Sequence, residues 1–462
     1  MKKPYKFLFI LFFLFPFCSF GQTISGGVNH SLAICTDGTV KAWGWNDSGE
    51  LGNGTYTGSN IPVPVSNITG IIAVSAGSEH SIALGNDGTV WAWGDNTYGQ
   101  LGNGNNVVSN VPIHINSLTG IIAISAGVYH SLALKNDGTI WAWGAGSLGQ
   151  LGDGNGSNSY VPVQLTGLVG MTAIVGGSNY SLALKNDGSV YSWGFNADGQ
   201  LGNGTNTNSL VPVPVSSLTN IISIGGGGDH SVALKGDGTV WCWGYNYFGQ
   251  LGNNTTTSSN IPIQTFSLTG IVAIAKGFSS CSFAIKNNGT LWAWGDNSSG
   301  NLGDGTTSAS IIPIQISSLS GATSIAEGAA HSLALKSDGS LWTFGYNLYG
   351  QLGNGNNTDS HVPIQVIGLC TVANGLNEIS KSAENFPLYP NPSNGIFTLK
   401  CDAGQGTGGK LEVCNLLGEI IFSLTINSAT STIDLSDQAN GIYFVTIKNE
   451  TDSFIQKIII EK

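Results

Sequence analysis

A unit of about 50 residues recurs seven times, and this recurrence limits the possible folds more than any other feature. The clearest copy runs from His130 to Gly154 and contains His-Ser-Leu-Ala-Leu, Asp-Gly-Thr, Trp-Ala-Trp-Gly and Gly-Gln-Leu-Gly in that order. A repeat of this length indicates an array in which each unit buries its apolar side against its neighbours. One extra residue lies between Gly277 and Ser282. The copies begin at His30, His80, His130, Tyr180, His230, Cys281 and His331.

Each copy is predicted to form four short antiparallel strands. In the third copy, residues 121–125 are an apolar run, and residues 130–134 alternate polar and apolar side chains as a strand does. Residues 136–138 are Asn-Asp-Gly, a hairpin signal because Asp-Gly accepts the positive φ of a tight turn. Residues 139–143 return along the hairpin. Residues 161–165 contain a proline, which favours an edge strand.

Four antiparallel strands per unit form one blade of a β-propeller, and seven blades close a ring. We therefore predict an all-β chain whose seven-bladed propeller covers residues 22–371. All 12 Trp residues lie in this region, and we expect both Trp of each Trp-x-Trp pair to pack between neighbouring blades. The predicted repeats are 22–70, 71–120, 121–170, 171–220, 221–270, 271–321 and 322–371.

These motifs resemble the regulator of chromosome condensation (RCC1-like) repeat family. The similarity consists of the His-Ser-x-Ala-Leu strand, the Asp-Gly turn, the Trp-Gly ending and the Asn-x-x-Gly-Gln-Leu-Gly loop, and it extends over about three quarters of the chain. The resemblance implies a seven-bladed β-propeller. The best-known member is a nuclear guanine-nucleotide exchange factor, so exchange activity is one function that the resemblance implies.

The charge pattern argues against a nuclear function. The net charge is −11, and all 16 basic residues are lysine. Binding to nucleic acid requires a basic surface that neutralises phosphates, so we predict no nucleic-acid partner. Lys2, Lys3 and Lys6 precede the apolar run 7–20, which predicts a secretory signal peptide over residues 1–21. We predict no transmembrane segment elsewhere, since no other stretch is long and apolar enough.

The repeat pattern ends after Cys370. Residues 372–386 are predicted to be a linker, and the strand-like runs in residues 387–462 predict a small antiparallel β-sandwich. This segment resembles the type A sorting domain of type IX secretion cargo. The resemblance implies delivery by the type IX machinery to the outside or the outer surface of a Gram-negative cell. The motif positions that we assign to sorting are Tyr389, Pro390, Asn391, Pro392, Asn394, Gly395, Gly441 and Lys457.

Six cysteines lie outside the signal peptide, and export would allow them to oxidise. Cys401 and Cys414 are the pair that we expect on neighbouring strands. Cys35 and Cys370 lie near opposite ends of the repeat array, so a bridge that closes the ring is conceivable, but we favour isolated thiols. No cysteines have the spacing of zinc ligands.

The residues that recur in every copy are interpreted as structural. The recurrent histidines would lie on different blades, so we predict hydrogen-bonded structural roles and no metal site. The Asp-Gly positions are predicted to form turns. The sequence contains no nucleophile elbow, phosphate loop or zinc-protease motif, so we predict no catalytic residues and no cofactor.

Function is expected where the copies differ, in the loops before the His strand and after Trp-Gly. Aromatic side chains are abundant there, and such residues are useful at protein or sugar interfaces. The alternative is that these rings only cover the edges of neighbouring blades. The predicted binding residues are Trp45, Glu79, Tyr98, Tyr129, Phe195, Asp229, Tyr245, Tyr247, Phe248, Tyr346 and Tyr349.

Three functions are compatible with these observations. The favoured hypothesis is an exported, cell-surface or secreted module that binds an extracellular protein or glycan and has no chemistry of its own. The second is a secreted carbohydrate-active enzyme whose carboxylates converge from different blades. The third is the nucleotide-exchange activity of the family, which export and the acidic charge make the least favoured.

Overall fold

The structure is a computed structural model. It describes residues 23–373, 388–390, 393–400, 410–414, 420–426, 428, 430–438, 441–448 and 453–460. The predicted signal peptide, most of the predicted linker and Cys401 lie outside these described residues. The propeller and the C-terminal region are separate compact units and are considered in turn.

The propeller consists of seven four-stranded antiparallel sheets, each of which lies within one repeat. Blade 1 contains β1 (Ile24–Gly26), β2 (His30–Ile34), β3 (Val40–Gly44) and β4 (Ser59–Pro64). Blade 2 contains β5 (Ile71–Ala76), β6 (His80–Gly85), β7 (Val90–Gly94) and β8 (Ser109–His114). Blade 3 contains β9 (Ile121–Ala126), β10 (His130–Lys135), β11 (Ile140–Gly144) and β12 (Ser159–Gln164).

The four remaining blades repeat this order. Blade 4 contains β13 (Met171–Gly176), β14 (Tyr180–Lys185), β15 (Val190–Gly194) and β16 (Ser209–Pro214). Blade 5 contains β17 (Ile221–Gly226), β18 (His230–Lys235), β19 (Val240–Gly244) and β20 (Ser259–Gln264). Blade 6 contains β21 (Ile271–Ile274), β22 (Cys281–Lys286), β23 (Thr290–Gly295) and β24 (Ser310–Ser320). Blade 7 contains β25 (Ala322–Glu327), β26 (His331–Lys336), β27 (Leu341–Gly345) and β28 (Ser360–Gln365). The predicted all-β, seven-bladed architecture is therefore confirmed.

The hairpin of each blade is held by local chemistry. In blade 3, β10 pairs with β11 so that Ser131 lies opposite Trp143. The Asp137 carboxylate accepts hydrogen bonds from the backbone N–H and the hydroxyl of Thr139, at 3.0 and 2.6 Å. Gly138 adopts φ 81°, a conformation that favours glycine. This Asx-type turn reverses the chain after β10.

The apolar core lies between adjacent blades. One cluster combines Ile82 and Leu84 of blade 2 with Ala133 and Trp143 of blade 3. The second Trp of each pair is fully buried in such a cluster, as predicted. The first Trp is only half-buried but packs against such a cluster as well, as Trp241 does between blades 4 and 5. Both Trp of a pair therefore pack between neighbouring blades, and Lys235 lies 5.5 Å from the centre of the Trp241 ring.

Buried hydrogen bonds join each blade to the next. The Gln100 carbonyl oxygen of blade 2 accepts from Trp143 Nε1 and from Ser131 Oγ of blade 3, at 2.8 and 2.9 Å. Because the hydroxyl of Ser131 donates its only hydrogen there, it must accept from the Nε2–H of His80, 3.0 Å away. Burial lowers the pKa of His80 to about 3, so the ring is neutral at pH 7, and its Nδ1 is buried without a partner. The predicted hydrogen-bonded role of the histidines agrees with these contacts.

The ring is closed by the same contacts and by one disulfide. His331 of blade 7 contacts Ser31 of blade 1 at 2.9 Å, and the N–H of Ala373 donates to the Ile34 carbonyl at 2.8 Å. Cys35 and Cys370 form a disulfide across a sequence separation of 335 residues. The favoured prediction of isolated thiols is therefore wrong for this pair, because ring closure places the two ends of the array side by side. Cys242 and Cys281 are buried free thiols.

The C-terminal region forms two small antiparallel sheets, as predicted. One sheet contains β29 (Leu388–Tyr389), β30 (Ile396–Lys400) and β33 (Thr430–Asp434) in the order β29-β30-β33. The other contains β31 (Lys410–Cys414), β32 (Ile420–Thr425), β34 (Gly441–Lys448) and β35 (Ser453–Ile460) in the order β32-β31-β34-β35. Phe397, Val413 and Ile458 belong to the core of this domain.

Several predicted sorting positions lie at the start of this domain. Tyr389 ends β29 and is exposed, and Asn394 is also exposed. Gly395, with φ 109°, donates its N–H to Ser393 Oγ at 2.9 Å. Pro390 follows β29, Gly441 begins β34, and Lys457 lies opposite Phe444 in β35. Asn391 and Pro392 lie outside the described residues.

Removing the ring-closing disulfide is expected to destabilise the propeller. The variant C35S/C370S should lower the free energy of unfolding by about 2–5 kcal/mol, because the bridge restricts a very long loop of the unfolded chain. Urea denaturation monitored by Trp fluorescence measures this loss. Reductant should destabilise the wild type to the level of the variant and leave the variant unchanged. Equal stability of the oxidised wild type and the variant would contradict the structural role.

Acid is expected to destabilise the propeller through its buried histidines. Burial lowers the pKa of His30, His80, His130 and His331 from 6.5 to about 3 and that of His230 to about 4. Unfolding therefore takes up protons below pH 6.5, and the stability present above that pH is lost as the pH falls. Burial raises the pKa of Glu50 and Glu327, which opposes the trend, but the five histidines outnumber these two carboxyls.

From pH 7 to pH 5 the free energy of unfolding should fall by about 5 kcal/mol, as measured by denaturant titration at each pH. The variant H130Q keeps an amide donor near the position of Nε2 but cannot be protonated. Between pH 6 and pH 5, the free energy of unfolding of H130Q should fall by about 1 kcal/mol less than that of the wild type. A pH-independent wild type, or identical slopes for the two proteins, would argue against buried neutral histidines.

Candidate functional site

The two predicted loop sets lie together on one face of the propeller. We call this surface the loop face; it comprises residues 45–58, 95–108, 145–158, 195–208, 245–258, 296–309 and 346–359 with the turns that precede β2, β6, β10, β14, β18, β22 and β26. The backbone N–H of Trp45 donates to the carbonyl of Asn29 at 2.9 Å, and that of Asp95 donates to Glu79 at 2.7 Å. Each pair of loops in a blade is thus directly connected.

A buried asparagine shapes most of the long loops. Asn46 accepts the N–H of Leu51 at 2.8 Å, and its amide donates to the carbonyls of Thr55 and Thr57 at 3.1 and 3.0 Å. The same side chain recurs at Asn96, Asn196, Asn246, Asn297 and Asn347. Blade 3 has Gly146 at this position. These bonds form within the loop, so the loop face is built before any ligand arrives.

Each long loop also contacts the outer strand of the next blade. The N–H of Gly104 in blade 2 donates to the Tyr160 carbonyl in blade 3 at 2.8 Å. At the junction of blades 7 and 1, Gly355 donates to Asn60 at 2.9 Å. These contacts satisfy part of the outer edge, where an unpaired strand would favour aggregation. They also create a cleft where two blades meet.

The predicted aromatic residues form three clusters on different blades. Trp45 and Tyr349 meet edge to face with their ring centres 4.5 Å apart, and Tyr346 lies 6.1 Å from Tyr349. Tyr98 of blade 2 lies 5.3 Å from Tyr129 of blade 3.

The third cluster lies on blade 5. Tyr245 stacks with Tyr247 at 6.4 Å, and Phe248 lies 5.1 Å from Tyr247. Tyr247 is 68% exposed. Phe195 is half-buried on blade 4. The rings pack against each other and still reach the surface, so both the binding and the packing interpretation remain compatible with their positions.

A cleft opens at the junction of blades 7 and 1. Its volume is about 510 Å³, and Trp45 and Tyr349 form part of its wall. Asp47, Asn60 and Asn357 supply polar groups to the same cleft. The predicted set contained the two aromatic residues but not the three polar ones. A comparison of the copies would not have shown the three together, because they come from loops and an outer strand of two different blades.

The loop face is acidic. Its seven long loops contain no lysine or arginine. Two predicted residues act as acceptors there: Glu79 accepts from Ser48 Oγ at 3.2 Å, and Asp229 accepts from the Gln200 amide at 3.3 Å. Burial, followed by the nearby Asp198, raises the pKa of Asp229.

Glu50 is the most unusual acid of the loop face. Five blades have Gln at the equivalent position and blade 6 has Asn301, whereas blade 1 has a carboxyl with no exposed surface. Its Oε2 accepts the N–H of Ser48 at 3.0 Å, and its Oε1 is buried without a partner. Burial, and to a lesser extent Glu79 and Asp47, raises the pKa of Glu50 to about 7. Column-by-column comparison of the copies would have identified this residue.

Within the described parts of the chain, no three His, Cys, Asp or Glu side chains gather into an arrangement that could hold a metal ion. The described residues also contain no helix of the length and apolarity that a membrane crossing requires.

Seven four-stranded blades closed into a ring, with long loops on one face, define a β-propeller built from RCC1-like repeats. The sequence matches the RCC1-like domain over residues 19–233 and 174–383, and the chain belongs to this family. Residues 387–461 match the secretion system C-terminal sorting domain. Both resemblances recognised in the sequence are confirmed. The sorting domain identifies the chain as cargo of type IX secretion.

Solved structures give the same fold. The human protein WBSCR16 is 25% identical with a TM-score of 0.65, and the match covers 71% of this chain and 93% of that chain. Prp20p of Saccharomyces cerevisiae is 21% identical with a TM-score of 0.65, and the match covers 77% of this chain and 90% of that chain. At 21% identity, the similarity to Prp20p shows the fold alone. Comparison with curated proteins gives no match.

Replacing the buried carboxyl of Glu50 is expected to stabilise the protein in a pH-dependent way. Its folded pKa of about 7 lies above its usual value of 4.5, so ionisation destabilises the fold increasingly as the pH rises between these values. The free energy of unfolding of E50Q should therefore exceed that of the wild type by about 3 kcal/mol at pH 8, and by much less at pH 5.

The reciprocal variant Q150E provides the matched control, because Gln150 occupies the same position in blade 3. It should lose stability at pH 8 and recover most of it at pH 5. Denaturant titrations at the two pH values measure both effects. A stability gain for E50Q that does not change with pH would contradict a carboxyl buried without full compensation.

Proposed function

We propose that this protein is an exported binding module that uses its loop face to hold an extracellular protein or glycan at or beyond the cell surface. The observation that carries the proposal is the contrast between the two faces of the ring. The loop face varies from blade to blade and concentrates the aromatic clusters. In this proposal the protein binds without performing chemistry of its own.

The opposite face provides the comparison. It carries the Asp-Gly turns, and its chemistry is repeated: Lys135 pairs with Asp137 at 3.6 Å and Lys185 with Asp187 at 2.7 Å. Lys235–Asp237 and Lys336–Asp338 repeat the pair at 3.9 and 3.7 Å. Such exposed pairs contribute little energy. Because the same pair recurs on four of the seven blades, this face offers less basis for recognising one partner than the loop face does.

The properties of the loop face suit recognition. Its loops are preformed by internal hydrogen bonds, so binding loses little conformational entropy in ordering them. Its aromatic rings are partly exposed, and tyrosine and tryptophan are the residue types most often responsible for interface affinity. We do not extend nucleotide exchange to this chain, since export removes it from nuclear partners.

Binding to whole cells tests this proposal. The mature full chain, fluorescently labelled, should bind cells of the producing species or its neighbours. A variant with W45A, Y349A, Y245A, Y247A and F248A combined should bind at least tenfold more weakly, because the Trp45–Tyr349 pair and the blade 5 cluster are removed. The control K135A/K185A/K235A, which alters the opposite face, should bind like the wild type. Unchanged binding by a folded loop-face variant, or loss in the control alone, would refute the assignment of the face.

A further inference from the structure

We infer that the cleft between blades 7 and 1 is a binding site for a neutral saccharide. The inference rests on the proposed function and specifies the ligand class of one part of the loop face. The volume of the cleft, about 510 Å³, lies within the range of about 300–1,000 Å³ that small-ligand sites occupy. A short oligosaccharide fits such an open cleft.

Trp45 and Tyr349 come from successive blades and meet at 4.5 Å. Tyr98 and Tyr129 also meet between blades 2 and 3, but there the second ring comes from the turn before β10. The two long-loop positions that Tyr349 and Trp45 occupy are both aromatic at the junction of blades 7 and 1 alone. At the other six junctions, at most one of the two equivalent positions is aromatic. Those pairs are Ser48 with Asp95, Tyr98 with Ala145, Leu148 with Phe195, Asp198 with Tyr245, Phe248 with Asp296, and Ser299 with Tyr346.

Folding does not require a ring at position 45. Asp95 and Ala145 occupy the equivalent position and make the same backbone bond to the preceding turn, at 2.7 and 2.9 Å. The loop therefore forms with a small or charged residue there. Trp45 is also unlike the core tryptophans, such as Trp43, whose indole N–H donates to Gln351 at 2.8 Å. Among the described residues, the Trp45 indole has no hydrogen-bond acceptor, and its N–H is available to a ligand.

The polar groups beside this wall match sugar hydroxyls. The amide of Asn60 donates to Asn357 Oδ1 at 3.0 Å, and the amide of Asn357 donates to the Leu348 carbonyl at 2.8 Å. Each amide thus keeps a second N–H, and the Asn60 oxygen remains as an acceptor. Asp47 adds a carboxylate acceptor. A hydroxyl both donates and accepts, so groups of both kinds at one site suit a polyhydroxylated ligand.

The charge of the site selects among saccharides. A pyranose presents an apolar C–H face that packs on an aromatic ring and a rim of hydroxyls that amides and carboxylates can hold. The seven long loops carry no lysine or arginine to neutralise a sugar acid or sulfate. Asp47 in the cleft would repel such groups. The ligand is therefore a neutral saccharide.

The test uses the full mature chain and a panel of tetrasaccharides. The neutral probes are cellotetraose, maltotetraose, mannotetraose and chitotetraose, and the anionic probe is tetragalacturonate. Isothermal titration should detect at least one neutral probe with a dissociation constant below 1 mM, and tetragalacturonate should not bind. Binding should change the Trp fluorescence, and this change should disappear in W45A. Failure of every neutral probe, or preferred binding of the anionic one, would overturn the inference.

Matched variants locate the site. W45A and N60A should each weaken binding of the neutral probe at least tenfold. Y160A, which removes an exposed ring from the outer strand β12 of blade 3, should leave the affinity unchanged. Retained thermal stability shows that W45A and N60A still fold. Full affinity in folded W45A would refute the site.

The cell-binding assay separates this inference from the proposed function. If protease treatment of the cells abolishes binding while W45A does not affect it, the loop face recognises a protein. The saccharide inference then fails and the proposed function stands. If the combined loop-face variant binds cells normally, the proposed function fails as well.

Discussion

The propeller depends on one shared acceptor, the backbone carbonyl that each long loop offers to the next blade. The Gln150 carbonyl, for example, accepts from Trp193 Nε1 and from Ser181 Oγ, both at 2.9 Å. All three groups are buried, so each would be costly if left unpaired, and each is satisfied only when two blades pack in the correct register. This explains why Gly-Gln-Leu-Gly, His-Ser and Trp-Gly recur together. They are three parts of a single contact between blades, and the seventh contact closes on the first blade through Gln351 and Trp43.

Blade 7 departs from this contact because Phe344 replaces the buried Trp, so the Asn301 carbonyl accepts from Ser332 Oγ and from no indole N–H. Blades 4 and 6 keep the shared carbonyl but replace the recurrent histidine. Tyr180 replaces a histidine and donates its hydroxyl to the His230 carbonyl of the next blade, so the link between blades is kept by a different group. Cys281 replaces another and contacts Ser279 at 2.8 Å within its own blade. Near the same inner strand ends, Glu327 is a buried carboxyl whose pKa is raised well above its usual value by burial. A ring with seven redundant contacts tolerates such local departures, because the remaining contacts hold the register.

Sequence reasoning predicted most of the fold because its signals are local and repeated. The alternation in residues 130–134 and the Asp137-Gly138 turn each depend on a few neighbouring residues, and seven copies reduce the chance of error. The Cys35–Cys370 bridge was not predicted, because its geometry exists only after the ring closes. The half-exposure of Trp241 was not predicted for a related reason. The alternation along a strand predicts which face of the sheet a side chain lies on, but not how much of that face the next blade covers. For the candidate site, the loops and their aromatic residues were predicted, whereas Asn60 and Asn357 become neighbours only through the junction of two blades.

The division between a uniform scaffold and a variable face follows from where the repeat places its invariant residues. The recurrent His, Ser and Trp side chains make the contacts between blades, and the recurrent Asp side chains accept hydrogen bonds within their own turns. These side chains are therefore not available to a ligand. Position 45 and its equivalents are tied to the preceding turn by a backbone hydrogen bond, so their side chains can change without breaking a contact between blades. Blade 1 departs from the other blades twice, with the half-buried Trp45 in the wall of the cleft and Glu50 buried beneath the same loop. That a destabilising carboxyl and a ring unnecessary for folding occur in one loop indicates that blade 1 departs from the consensus for reasons other than stability.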